Sequence, residues 1–219
     1  GYAEYMVVNE NYAYYIPDVF SDIEAAPLLC AGGTGYRSLN LTDIKAGMNL
    51  GFTGFGASAH LVLQIALHLY QGLQCFVFVR GKKQRDFALE LGAVWAGDTN
   101  DKPPELLDAV IDTTPVWKPP VSVLKYLKPG GRLVINAIRK EQNDKNMLMN
   151  LDYSRDLWME KEIKSVANVT AGDIDTFLKI ASEIPVKPVV EVYKLSVAGK
   201  ALRDLKAGNV RGAKVLITA

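Results

Sequence analysis

The sequence has few cysteines, almost no net charge and no long apolar run, and each shortage excludes a class of protein. Two cysteines in 219 residues are too few for a disulfide framework. They fit a reducing compartment, and we expect a cytoplasmic protein. Twenty-five basic residues against 24 acidic ones leave a net charge of +1, so no nucleic-acid partner is indicated. The apolar runs are far shorter than a membrane span, so no membrane partner is expected.

The most informative feature that is present is a glycine turn, Gly54-Phe55-Gly56-Ala57-Ser58-Ala59. An apolar run at 48–53 precedes it and predicts a buried strand. A helical pattern follows and ends at Gly72, and a second buried run occupies 75–79. The turn alone is weak evidence, because G-x-G-x-x-A occurs by chance in many chains. Inside a strand–helix–strand unit it predicts a dinucleotide site.

Each small residue of this turn has a physical role in the predicted site. Gly54 allows the tight bend, Gly56 lets the backbone approach a pyrophosphate, and Ala59 lets helix and strand pack closely. The free amides around Gly56, Ala57 and Ser58 would face the phosphates, with the positive end of the helix dipole behind them. The alternative is an ordinary strand-to-helix turn without a ligand.

The end of the second strand bears on the choice between NAD and NADP. An Asp or Glu there would bond the ribose 2′-hydroxyl of NAD, whereas an Arg accommodates the 2′-phosphate of NADP. The sequence has Arg80, Lys82, Lys83 and Arg85, and cations at a helix start oppose the dipole unless an anion compensates. We therefore predict NADP, bound by Arg80 and Arg85. NAD and a merely solvated charge run are the alternatives.

The rest of the chain continues the alternation of strands and helices. Strands are predicted at 93–95, 107–112, 132–138 and 163–169, and helices at 121–127 and 171–183. The fold class is therefore α/β, with a doubly wound parallel six-stranded Rossmann sheet. Residues 140–152 are predicted to form a polar surface excursion. Three further runs, 1–8, 189–195 and 214–218, predict antiparallel strands outside that sheet.

Residues at the carboxyl ends of the later strands are candidates for the ligand crevice. Thr113 follows the fourth strand, and Ala137 and Ile138 end the fifth. An open α/β sheet receives its ligand at this edge. His60 is expected to pack or cap the helix after the glycine turn, and His68 is expected to be exposed. Neither histidine forms a metal site, and no arrangement for hydrolysis is evident.

Several motifs in combination resemble zinc-dependent medium-chain alcohol dehydrogenases. They are Gly1 to Tyr5, Ala25 to Gly32, the glycine turn through His60, Leu91-Gly92-Ala93, Leu127 to Gly131 and Ser165 to Thr170. The resemblance covers essentially the whole chain. It implies a GroES-like catalytic domain that precedes the nucleotide domain and receives the chain again at its C-terminus. The chain is then the C-terminal two-thirds, flanked at both ends by strands of an incomplete catalytic domain.

The resemblance also divides the chain and assigns metal and substrate roles. Residues 1–16 become a remnant of the catalytic domain, 17–187 the dinucleotide-binding Rossmann domain, and 188–219 the return to the catalytic domain. Cys30 matches a ligand of the catalytic zinc, with a small buried hydrophobe as the alternative. Thr34 matches a hydroxyl position that faces the nicotinamide, with a backbone-bonded hydroxyl as the alternative.

The implied activity is interconversion of a primary alcohol and its aldehyde with NADP(H) or NAD(H). Zinc would stabilise the alkoxide that passes hydride to the nicotinamide. The family's other zinc ligands lie in the preceding domain, so this chain alone is expected to be inactive. The alternatives are a non-catalytic dinucleotide-binding fragment and a zinc-independent quinone or enal reductase, against which Cys30 argues. A homodimer or larger homo-oligomer is expected to form through the edge strand at 163–169.

Overall fold

The computed structural model of the protein describes residues 2–184, 186–208 and 211–218. Its parallel sheet consists of β1 (Asn49–Thr53), β2 (Gln74–Phe78), β3 (Trp95–Gly97), β4 (Leu107–Asp112), β5 (Leu127–Ile135) and β6 (Glu162–Ser165). The strand order is β3-β2-β1-β4-β5-β6. The order reverses between β1 and β4, which is the point where doubly wound sheets bind ligands. The predicted six-stranded Rossmann sheet is confirmed.

Helices cover both faces of this sheet. The helices of the described residues are α1 (Asp22–Ala25), α2 (Gly33–Thr42), α3 (Ala57–Leu69), α4 (Lys82–Glu90), α5 (Lys118–Val123), α6 (Ala171–Glu183) and α7 (Ala198–Lys206). Of these, α7 packs against two later strands outside this sheet. Alternate residues of β2 face opposite sides. Val77 packs into the core under α2, α3 and α6, whereas Phe78 packs into the core beside α5. Within the described ranges, no helix is long and apolar enough to cross a membrane.

Several element boundaries differ from the predicted ones. The predicted helix at 121–127 begins earlier, at Lys118, because Pro119 and Pro120 fit the first helical turn. Strand β5 begins earlier than predicted because Leu127 pairs with Leu107, and the register shifts before Ala109. It ends at Ile135 and so does not include Ala137. Strand β3 lies two residues later than predicted, and β6 stops at Ser165 rather than 169.

The two ends of the chain also correct the prediction. Residues 2–8 form no strand, because no neighbouring strand pairs with them. Strands β7 (Val190–Lys194) and β8 (Ala213–Ile217) do form, but they pair in parallel rather than antiparallel. Parallel neighbours need a long crossover connection, and the segment that contains α7 provides it.

Candidate functional site

The glycine turn between β1 and α3 has two glycines with different constraints. Gly54 has a φ of +81°, and a Cβ there would lie 2.8 Å from Thr113 Oγ1 and 2.9 Å from Thr114 Cγ2. Glycine is therefore needed for both the backbone conformation and the close approach. Gly56 precedes α3 in an extended conformation, and no side chain caps the helix. A Cβ on Gly56 would meet nothing within 4 Å, so open space lies in front of the helix start.

That open space belongs to a cleft of about 720 Å³. Its lining includes Gly56 and Ala57 from the glycine turn, Cys30, and Leu202 and Leu205 of α7. A cleft of this size falls within the range of small-molecule and cofactor sites. The structure thus brings the predicted metal ligand and the predicted pyrophosphate-binding turn to one cavity.

Cys30 lies in a π-helical turn, Leu28–Gly32, that leads directly into α2. Its side chain is exposed, so the alternative of a buried hydrophobe does not hold. The Thr34 hydroxyl donates a hydrogen bond to the Cys30 carbonyl at 2.7 Å. This is the backbone-bonded alternative, and it leaves only the oxygen of Thr34 to accept from another group.

The residues described do not complete a metal site around Cys30. Over the ranges 2–184, 186–208 and 211–218, no three His, Cys, Asp or Glu side chains come together in a way that could hold a metal ion. A catalytic zinc takes about three protein ligands. Cys75 is no candidate, because burial in β2 raises the pKa of its thiol to about 12. Among the described residues, Cys30 is therefore an exposed candidate ligand without a complete zinc centre around it.

The predicted phosphate-binding arginines have different surroundings. Arg85 donates to the carbonyls of Val79, at 3.0 Å, and Arg80, at 2.7 Å, and lies 3.8 Å from a carboxylate oxygen of Asp98. It therefore fixes the carboxyl end of β2. Arg80 is exposed there and takes part in none of the ion pairs found among the described residues. Its guanidinium is the one better placed to receive a phosphate.

The remaining predicted residues lie at the carboxyl edge of β4 and β5. Thr113 donates its backbone amide, at 2.9 Å, and its hydroxyl, at 3.1 Å, to the Thr53 carbonyl. It thus ties the end of β4 to the end of β1. Ala137 and Ile138 follow β5, and the side chain of Ile138 is fully exposed at this edge. Thr113 borders the switch point, whereas Ala137 and Ile138 lie one strand farther along the sheet.

Sequence reasoning missed a buried ion pair at the same edge. Asp112 is fully buried at the end of β4 and bonds to Lys140 Nζ. Its other oxygen accepts from the hydroxyls of Thr53 and Thr114, each at 2.7 Å. The available signal was the acidic residue at the end of an apolar strand, because a buried carboxylate requires a partner. Lys140 belongs to residues 140–152, which were predicted to form a polar surface excursion. The structure corrects this prediction at Lys140, whose side chain is only 8% exposed.

His60 packs under the glycine turn, as predicted, and His68 is exposed. The Val189 amide donates to His60 Nε2 at 3.3 Å, so the ring proton lies on Nδ1, which donates to the Gly56 carbonyl at 3.1 Å. Burial lowers the pKa of His60 below its ordinary 6.5. The neutral ring therefore connects the glycine turn with the segment before β7.

This buried histidine makes the stability of the chain depend on pH. Below the ordinary pKa of 6.5, His60 binds a proton in the unfolded chain but stays neutral in the folded chain, because burial lowers its pKa. The free energy of unfolding therefore falls as pH falls. The slope reaches at most about 1.4 kcal/mol per pH unit. Denaturant unfolding between pH 7 and about 5 measures this slope. The His60→Gln variant should show a much smaller slope.

The matched control is His68→Gln, which changes an exposed histidine of the same helix and should keep the full slope. Carboxylates with lowered pKa, such as Asp173, lose their contribution only at lower pH. An unchanged slope in His60→Gln would contradict the assignment of this dependence to His60.

Comparison with known proteins adds to this geometry. No protein-family model matches the chain. The Mycobacterium tuberculosis protein named "Probable alcohol dehydrogenase AdhA" is 41% identical over 99% of this chain and 61% of its own length. Over almost its whole length, the chain is therefore similar to a protein named as an alcohol dehydrogenase. The Populus deltoides protein named "Probable cinnamyl alcohol dehydrogenase" is 30% identical over 96% of the chain and 59% of its own length. The chain thus spans less than two thirds of these relatives.

Several solved structures share the fold. An alcohol dehydrogenase from Aeropyrum pernix matches 99% of this chain and 65% of its own, with a TM-score of 0.82 and 21% identity. The match to the Helicobacter pylori CAD complexed with NADP(H) covers 88% of this chain and 54% of that one, with a TM-score of 0.73 and 20% identity. The match to the Geotrichum candidum acetophenone reductase in complex with NAD covers 93% of this chain and 58% of that one, with a TM-score of 0.77 and 21% identity.

Proposed function

We propose that the chain forms the cofactor-binding part of an oxidoreductase that transfers hydride between a primary alcohol or aldehyde and NADP(H). The observation that carries this proposal is the shared cleft, which is lined by both Cys30 and the turn at Gly56 and Ala57. The names of the relatives support alcohol–aldehyde chemistry. One structural neighbour holds NADP(H) and another NAD, and the free cation Arg80 favours NADP for this chain.

The residues present fit a dinucleotide. The space in front of Gly56 admits a pyrophosphate, and the amides of Ala57 and Ser58 at the start of α3 would bind it. Arg80 would bind the 2′-phosphate, with Arg85 holding the strand end behind it. Bound NADP supplies the hydride acceptor or donor.

The opposite side of the switch point would receive the nicotinamide half. Thr113 fixes the end of β4, and Ala137 and the exposed apolar side chain of Ile138 would border the ring. Thr34 would face the nicotinamide with its oxygen as an acceptor. In this proposal, residues 17–187 form the dinucleotide domain, and residues 1–16 and 188–219 belong to the catalytic domain.

Zinc is proposed only for a complete enzyme in which Cys30 is one of several ligands. There it would polarise the alcohol oxygen. The longer relatives contain chain beyond the matched region, and ligands from such a region would be required. By itself, the chain is proposed to bind cofactor without turnover. The exposed cysteine in the cleft disfavours a zinc-independent reductase, which needs no ligand there. The unpaired cysteines fit the cytoplasm as the proposed compartment.

Alkylation of Cys30 tests whether cysteine and cofactor share the cleft. N-ethylmaleimide should modify exposed Cys30 in the native chain and spare buried Cys75, whose thiol has a pKa raised to about 12. Saturating NADP⁺ should slow the modification of Cys30, as measured by mass spectrometry. 2′,5′-ADP, which lacks the nicotinamide half, serves as the control ligand. An unchanged rate in the presence of demonstrably bound NADP⁺ would contradict the shared site.

The homodimer is proposed to form through the free edge of β6. All residues of this strand, Glu162–Ser165, are exposed, including the apolar side chain of Ile163. The Val166 amide donates to Ile135 of β5, so the alternating Ser165 amide points to the free edge. An unpaired edge of this kind favours association about a two-fold axis.

The Ser165→Pro variant should therefore shift the dimer toward monomer, because it removes a donor of the free edge and spares those that bond β5. Light scattering over a range of concentrations measures the effect. The control is Ser165→Ala, which keeps the amide and should remain dimeric. A monomeric unmutated chain at high concentration, or a dimer that persists in Ser165→Pro, would rule out this edge.

A further inference from the structure

Lys140 joins the two loops that follow β4 and β5, residues 113–117 and 136–145. Its side chain is only 8% exposed. Its Nζ bonds to the buried Asp112 carboxylate and donates to the carbonyls of Thr114, at 2.7 Å, and Val116, at 3.0 Å. All three acceptors belong to the end of β4 or to the loop after it. A single ammonium from the loop after β5 therefore fixes the loop after β4.

Other bonds extend this junction along both loops. The Glu141 amide donates to the Pro115 carbonyl at 2.7 Å. One Asp144 oxygen accepts from the amides of Trp117 and Lys118, each at 2.8 Å. The two loops are thus bonded at several points, with Lys140 at the buried end of the junction.

The junction also reaches the glycine turn. Thr114, whose carbonyl Lys140 holds, donates its hydroxyl to Asp112 at 2.7 Å. A Cβ on Gly54 would lie 2.9 Å from the methyl group of Thr114. Thr114 therefore borders the turn on its β4 side, the side away from β2 and Arg80.

The strand order tells which half of the cofactor these loops would contact. Arg80 ends β2 on one side of β1, whereas β4 and β5 lie on the other side. A dinucleotide with its pyrophosphate at Gly56 and its 2′-phosphate at Arg80 would extend its nicotinamide half over the loops after β4 and β5. We propose that Lys140 is a positioning residue for the nicotinamide half of NADP(H). This inference rests on the proposed dinucleotide site.

Two ligands separate this role from a merely structural one. NADPH occupies both halves of the site, whereas 2′,5′-ADP occupies only the adenosine half. In the Lys140→Met variant, NADPH affinity should fall by about tenfold, the loss expected for one well-placed hydrogen bond. The affinity for 2′,5′-ADP should stay unchanged. Fluorescence titration and calorimetry measure the two constants. Lys145→Met, an exposed lysine of the same segment, is the matched control and should change neither affinity.

Lys140→Met leaves the Asp112 carboxylate buried without its partner, which destabilises the fold. The double variant Asp112→Asn, Lys140→Met removes both charges and is measured in the same way. An equal loss of both affinities, or no loss of either, in the folded variant would overturn the inference. Failure of the unmutated chain to bind either ligand would instead overturn the proposed dinucleotide site.

Discussion

The Gly56→Val variant is expected to lose measurable NADPH binding while it keeps its fold. The backbone at Gly56 is extended, and a Cβ there meets no protein atom within 4 Å, so the folded chain tolerates the side chain. The same side chain would occupy the space through which a pyrophosphate approaches the amides of α3. We expect the dissociation constant for NADPH to rise by at least about 100-fold, which corresponds to roughly 2.8 kcal/mol.

The matched control is Gly172→Val at the start of α6, where a Cβ would lie 3.9 Å from its nearest neighbour. This glycine lies outside the cleft, so NADPH binding should be unchanged. Thermal unfolding of both variants checks the fold. Binding of NADPH to folded Gly56→Val with the affinity of the unmutated chain would mean that the ligand does not approach this turn.

The Arg80→Asp variant is expected to reverse cofactor preference. It removes the exposed guanidinium at the end of β2 and places a carboxylate where a 2′-phosphate would lie. The same carboxylate can accept from the 2′-hydroxyl of NAD(H). The ratio of NADPH to NADH affinity should fall by about 1 to 3 kcal/mol in free energy, or roughly 5- to 150-fold.

Lys179→Asp is the control for net charge, because Lys179 is exposed and lies within α6 rather than at the end of β2. It should leave the ratio of affinities unchanged. Arg85→Asp should act differently from Arg80→Asp, because Arg85 bonds the carbonyls at the end of β2 and its loss should lower stability. Equal affinities of the unmutated chain for NADPH and NADH would contradict the assignment of Arg80.

Local signals explain why some elements were predicted to the residue. Strand β4 has the predicted bounds because its apolar run is bordered by polar loop residues. Helix α6 also has the predicted bounds, and Thr170 and Asp173 form a capping box at its start. The position of the glycine turn between β1 and α3 was predicted in the same way, since a short motif carries most of the information about it.

The missed features depend on contacts between distant parts of the chain. Helix α2 contains Gly33 and Gly35, which locally disfavour a helix. It forms because Ile174 of α6 and Val62 of α3 fill the space against these glycines. The partner of Asp112 lies 28 residues later along the chain, in a loop without a periodic pattern. The parallel pairing of β7 and β8 likewise depends on α7, which lies between them along the chain and packs against both. The periodicity of the two strands does not reveal the direction in which they pair.

The most direct test of the central claim is titration of the purified chain with NADPH, followed by the fluorescence of the nicotinamide ring, with NADH titrated in parallel. The cleft shared by Cys30 and the glycine turn predicts one NADPH per chain, tighter binding than NADH, and displacement by 2′,5′-ADP. Absence of NADPH and NADH binding at millimolar concentrations by the folded chain would contradict a dinucleotide site in this cleft.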